Sequence, residues 1–203
     1  DETVTRIIVM TLLATTGLAH AADLPRRTSL SDTQCVYRVP QEPYFVLERN
    51  GVRAVVVNNQ AVDDDVLPGH RAGYSGLAYL GHRQREENLF VPSYAGWNFE
   101  HIHDGTKQDR KVLFEPRSDP MQLRVVDAHT VELYQAPTTH YGLESCLRYR
   151  MLEDGALEMI FECIPRRRRY QHDYIGLFWA SYIHQPTSLD IHFQGVESTA
   201  RRR

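Results

Sequence analysis

From residue 35 onward the chain is built of short apolar and aromatic runs separated by turn residues, and spacing that would favour a helix is nearly absent. Such runs predict strands. The first unit is Tyr44–Arg49, then Asn50-Gly51, then Val52–Asn58. Asn-Gly between two apolar runs predicts a two-residue hairpin turn, because both residues tolerate positive φ. That turn sets the register: Phe45 falls opposite Val56 and Leu47 opposite Ala54 on one face, with Glu48 opposite Arg53 on the other. An apolar face and a cross-strand ion pair suit a sheet with a buried side.

A second hairpin spans Leu143 to Pro165 around Glu153-Asp154-Gly155, and two registers compete. A two-residue Asp-Gly turn sets Cys146 against Cys163 but forces Leu147 against Glu162 and Met151 against Glu158. A three-residue loop with Gly155 left-handed pairs Leu147 with Phe161, Tyr149 with Met159, Met151 with Leu157 and Arg150 with Glu158. Like then faces like, so the second register is expected, with no disulfide across the hairpin. Further strands are predicted at Leu123–Val126 and Val131–Gln135. Tyr174–His184 is apolar nearly throughout, and its aromatic content predicts a strand buried on both faces. Asp63–Lys111, rich in Gly, His, Asn and Arg, reads as long functional loops. The pattern predicts an all-β fold, an antiparallel β-sandwich with little helix.

At 203 residues with 42% hydrophobic content, the chain suits one domain with a proper core. Charged residues at 24% and a net charge of -3 argue against a generally basic nucleic-acid binder and against disorder. Residues 7–18 form an apolar run followed by Ala19-His20-Ala21, the pattern of a signal peptide cleaved after Ala21. The expected organisation is a signal peptide over 1–21 and a single sandwich domain over 22–203, secreted or periplasmic, with no transmembrane segment, since twelve apolar residues fall short of the ~20 a span needs. Removing residues 1–21 leaves 22 basic against 24 acidic side chains, a nearly neutral chain. The n-region, Asp1-Glu2 with Arg6 alone positive, suggests an altered start, and the end, Ile191–Gly195 followed by polar Val196–Arg203, suggests a sandwich that is incomplete. Export permits disulfides, but Cys35, Cys146 and Cys163 are an odd number without a Cys-His signature around them, so structural thiols or one disulfide are expected.

The densest polar cluster is Asn98-Phe99-Glu100-His101-Ile102-His103-Asp104-Gly105. In a regular strand His101 and His103 point to one side and Asn98, Glu100 and Ile102 to the other. Two imidazoles on one side can begin a metal site of the double-stranded β-helix kind, with a divalent transition metal completed by ligands among His70, His82, His140 and His184. Without a cofactor, the same loops suit acid/base work on a sugar, a His and a carboxylate sharing protons while Arg, Asn and aromatic groups hold hydroxyls and the apolar sugar face. Arg166–Arg169 could meet sulfate or carboxylate groups of an acidic polysaccharide. Neither a phosphate-cradling glycine loop nor a G-x-S-x-G elbow is present.

Pro137–Ile164 (PTTHYGLESCLRYRMLEDGALEMIFECI) resembles the middle of the galactose-mutarotase-like β-sandwich family in its strand pattern, and Tyr174–His184 would continue it. The family includes aldose epimerases and the sandwich domains of polysaccharide lyases and glycosidases, so the resemblance implies a mutarotase-like supersandwich with a carbohydrate on its open face. The epimerase Asn-x-Thr-x-His pattern is absent, and no epimerase residue carries over. The expectation is an exported protein that acts on or binds a carbohydrate or polysaccharide. His101 is the expected acid/base with Glu100 or His82 as its partner, and the substrate contacts are His70, Arg71, Arg83, Trp97, Asn98, His140, Tyr141 and His184. The alternatives are a non-catalytic carbohydrate-recognition domain and the His101/His103 metalloprotein.

Overall fold

A computed structural model describes residues 26–85, 87–167 and 170–184; the expected signal peptide, Arg168, Arg169 and residues 185–203 lie outside that set. The described residues form strands β1 (Tyr44–Arg49), β2 (Val52–Val57), β3 (Gly76–His82), β4 (Asn98–His103), β5 (Met121–Asp127), β6 (Thr130–Gln135), β7 (Leu143–Met151), β8 (Leu157–Pro165) and β9 (Gly176–Ala180). Two one-turn helices, α1 (Arg110–Leu113) and α2 (Glu115–Ser118), stand between β4 and β5. The sheets are antiparallel, in the orders β1-β2-β3, β4-β9 and β5-β6-β7-β8. The fold is all-β with little helix, and no helix among the described residues is long and apolar enough to cross a membrane.

Both hairpins take the registers that their patterns predict. Asn50 (φ 51) and Gly51 (φ 82) form the turn between β1 and β2, with Phe45 opposite Val56, Leu47 opposite Ala54, and Glu48 bonded to Arg53 at 3.1 Å. In the β7–β8 hairpin Gly155 is left-handed (φ 86), Leu147 faces Phe161, and Arg150 pairs with Glu158 at 2.7 Å. Cys146 lies opposite Glu162 and Cys163 opposite Ser145, so the two thiols occupy different faces of the sheet. All three cysteines are free. Burial holds the Cys146 and Cys163 thiols protonated, pushing Cys163 up to about 11.

Alternation then builds one core. Leu47, Ala54 and Val56 from the first hairpin, Leu77 from β3, and Phe99 and Ile102 from β4 face Leu123, Val131, Leu133, Leu147, Tyr149 and Phe161 of the four-stranded sheet. β3 continues toward β4 through a bridge in which Leu77 and Gly96 exchange backbone hydrogen bonds at 2.8 and 2.9 Å. β2 is buried on both faces, because Val55 and Val57 meet Ala61 and Leu67 of the loop that follows.

Two expectations are corrected. Residues 63–111 are not continuous loop, for they contain β3 and β4; glycines flank the short apolar core of β3 and polar side chains fill β4, which hides both strands from a search for apolar runs. Tyr174–His184 is not a strand buried on both faces. Only Gly176–Ala180 is a strand, paired with β4 alone among the described residues, and Phe178 on its outer face is 48% exposed while Trp179 packs inward on Phe99.

The outer face of the four-stranded sheet is charged, with Arg124, Glu132 and Arg148 in one cross-strand row. Residues 28–38 lie across it as a strap. Arg148 Nε and the Ser29 backbone N–H donate to Glu132 at 2.7 and 2.9 Å, and Thr28 and Ser31 hydroxyls donate to Glu162 at 2.6 and 2.7 Å. Arg38 then pairs with Val125 at the sheet edge. Removing one partner of a buried ion pair leaves the other charge uncompensated. Glu132→Ala is therefore expected to destabilise the fold by about 3–5 kcal/mol, read as a lower urea midpoint, together with faster tryptic cleavage in the strap.

Candidate functional site

The pairing of β4 with β9 runs Asn98–Ala180 and Phe99–Trp179, then resumes at His101–Phe178, Ile102–Leu177 and His103–Gly176. Glu100 has no partner and forms a bulge. An extra residue breaks the two-residue alternation, so Phe99 and Ile102, three apart, both enter the core. It also corrects the expectation that Glu100 and His101 lie on opposite sides: their side chains come together, Glu100 Oε2 being 3.9 Å from His101 Nε2. His101 stacks on its cross-strand partner Phe178 at 5.1 Å and meets the edge of Phe114 at 4.1 Å. His103 lies against Gly176, where a Cβ would come within 2.6 Å of its ring.

Glu100 is 5% exposed. Its Oε1 accepts Tyr182 Oη at 2.8 Å and Arg117 Nη1 at 3.4 Å. Arg117 also donates from Nε to Gly73 O at 2.8 Å, and its guanidinium lies 3.9 Å from the Tyr74 ring centroid. Tyr74, Tyr94 and Tyr182 form a mutual cluster with centroids 4.8 to 6.0 Å apart, and Arg71 stands 6.0 Å over Tyr94.

Arg117 reaches this place because the α1–α2 corner is fastened to the sheets. Asp109 caps α1 by accepting from Val112 N, and Pro116 stands in the first turn of α2, where a missing N–H costs nothing. Asn59 and Gln135 each donate to the carbonyls of Pro116 and Asp119. The buried Glu115 carboxylate accepts the backbone N–H groups of His140 and Tyr141.

Burial pulls the His101 imidazole below its ordinary 6.5, with Glu100 opposing and His103 and Arg117 adding to the shift. The neutral ring is thus favoured. Burial, then the hydrogen bond to Glu100, pushes Tyr182 up to about 12. Nε2 of His101 is enclosed without a hydrogen-bond partner, while the side chain as a whole is 30% exposed.

The other expected residues divide. Asn98 shares the strand but is buried, its Oδ1 accepting from Ser75 N and its Nδ2 unpartnered. His70 is buried between the Pro92 and Tyr74 carbonyls at 3.2 and 3.3 Å, fixed as a loop tie. Trp97 packs against the core, stacked on Tyr149 at 6.2 Å. His140 and Tyr141 belong to the turn held by Glu115, and Tyr141 is fully buried. His184 is exposed beyond β9, tied to Leu89 O through its backbone. His82 and Arg83 stand at the far end of β3. Of the arginine run, Arg166 pairs with Glu144 and Arg167 donates to His140 O. Among the described residues no group of three or more His, Cys, Asp or Glu is disposed to hold a metal ion, so His101 and His103 have no third ligand in that set.

Arg117, Tyr182, Phe114 and Phe178 join Glu100 and His101 without a local signal in the sequence. Compared with protein-family models, curated proteins and solved structures, the chain matches none.

Because folding depresses the proton affinity of His70 and His101, the unfolded chain binds more protons below 6.5. Stability should therefore fall as pH drops below that value, and an unfolding series from about pH 7.5 to 5 reads the slope. Glu100→Gln removes the one group that supports the charged imidazole, and an NMR titration should show the His101 midpoint move further down.

Proposed function

We propose that this chain is an exported carbohydrate-binding or carbohydrate-active sandwich domain whose working group is His101. The observation that carries the reading is a buried carboxylate standing behind a part-exposed imidazole, with an exposed aromatic ring alongside. Nε2 is enclosed toward Glu100 while the side chain as a whole is part-exposed, and in this reading Nδ1 is the ring nitrogen that meets the ligand. The carboxylate favours the tautomer with hydrogen on Nε2, which leaves the Nδ1 lone pair outward as a base for a sugar hydroxyl. Glu100 acts here as a positioning residue, itself held by Tyr182 and Arg117. Phe178 offers the apolar face of a sugar a ring to lie on. The strand-pattern likeness of residues 137–164 to mutarotase-like sandwiches supports the same ligand class.

One observation favours a second reading, recognition without turnover: at 3.9 Å the Glu100–His101 approach is longer than a hydrogen bond. A glycan array followed by calorimetry and reducing-end assays separates the two. Phe178→Ala is expected to weaken glycan binding about tenfold. For an enzyme, His101→Ala should lower turnover by about 10²–10⁴ with binding kept; for a recognition domain no turnover is found and His101→Ala acts on affinity alone. A wild-type chain that binds no glycan overturns both.

A further inference from the structure

The end of β3 away from Asn98 carries a groove of about 610 Å³ whose walls include Glu48, Arg49, Arg53, Tyr79, His82 and Arg83. Two glycines shape it. A Cβ on Gly81 would lie 2.4 Å from Tyr79 Oη, so the tyrosine ring lies along the strand over bare backbone. Arg53, the register partner of Gly81, then stacks on that ring with its guanidinium 5.3 Å from the centroid. At the hairpin turn, a Cβ on Gly51 would lie 2.9 Å from Cδ and Nε of Arg83, and the Arg83 backbone N–H donates to Gly51 O at 2.8 Å. The Arg83 side chain therefore crosses the turn along a path that only glycine leaves open, and is directed along the groove wall.

The charge of the groove is one-sided. Three arginines line it against one carboxylate, Glu48, which is bonded to Arg53 at 3.1 Å. Arg49 reaches out to Glu153 at 3.7 Å. Arg83 has no ion-pair partner among the described residues. Guanidinium groups held at fixed positions recognise flat or tetrahedral oxyanions through paired N–H donors.

We propose that this groove binds the anionic group of an acidic polysaccharide, a sulfate ester or a carboxylate, with Arg83 and Arg53 as its ligands. The choice of a polysaccharide rests on the carbohydrate reading of the His101 site, whereas the anion site stands on its own geometry. A nucleic acid is disfavoured because base stacking needs open aromatic faces, and Arg53 already covers the one tyrosine of the groove.

The test titrates the full chain with dextran sulfate, polygalacturonate, neutral dextran and a single-stranded oligonucleotide, and repeats it for Arg83→Ala, Arg83→Lys and, as a control on an exposed arginine outside both the groove and the His101 site, Arg27→Ala. Binding of a polyanionic glycan is expected, weakened by added salt and reduced about tenfold or more by Arg83→Ala, the loss that one hydrogen bond to a charged group carries. Arg83→Lys should restore part of it, Arg27→Ala should leave it unchanged, and thermal unfolding should match the wild type in all three. The tighter of the two polyanions identifies the group as sulfate or carboxylate. Failure to bind either polyanion, equal binding by Arg83→Ala, or tighter binding of the oligonucleotide overturns the proposal. Loss of neutral-glycan binding in Phe178→Ala reports on the His101 site separately, so the two readings fail independently.

Discussion

A carboxylate taken out of water must be met by donors, and that constraint organises the parts of this protein that the apolar core does not reach. Glu132 and Glu162 hold the strap of residues 28–38 against the four-stranded sheet. Glu115 holds the turn that leads into β7. Glu100 gathers Arg117 from α2 and Tyr182 from beyond β9. In each case donors come from segments remote in sequence, so each of these glutamates ties together pieces of chain that lie far apart along it. Hydrogen bonds to charged groups are about twice as strong as neutral ones, which suits them to that task.

The bulge in β4 turns this constraint into a site. One unpaired residue brings Glu100 and His101 to the same side of the strand while Phe99 and Ile102 remain anchored in the core. A regular strand would have sent the carboxylate and the imidazole to opposite sides. The core supplies rigidity, the bulge supplies convergence, and the exposed Phe178 sits on the adjoining strand because its pairing with His101 places both rings on the outer face.

The groove at the other end of β3 has a different origin. There the shaping residues are glycines, and what they admit is side chain: Tyr79 over Gly81 and Arg83 over Gly51. Histidines and arginines that lie in one stretch of sequence are thereby split between two places. His82 and Arg83 lie about 20 Å from Ser75 and Asn98, the span of seven strand residues, so Glu100 and His82 are not partners of the same imidazole.

Local pattern was enough for the all-β class and for both hairpins. Asn50-Gly51 permits one tight turn, and at residues 143–165 only one register matches apolar with apolar and Arg150 with Glu158. These are nearest-neighbour choices, decided by turn geometry and by which side chains face across a few ångströms. His101 and Glu100 were legible as candidates because polar residue types crowd one short segment. Their convergence was not, since a bulge depends on how β4 meets β9, some eighty residues away. Nor could the sequence tell that His70, Trp97 and Tyr141 turn inward while Arg117 and Tyr182 arrive from elsewhere, because burial and long-range donors are set by packing. Periodicity determined which faces the strands present; only the tertiary structure decided which polar groups share a face, because that depends on contacts between residues whose separation along the chain carries no local signal.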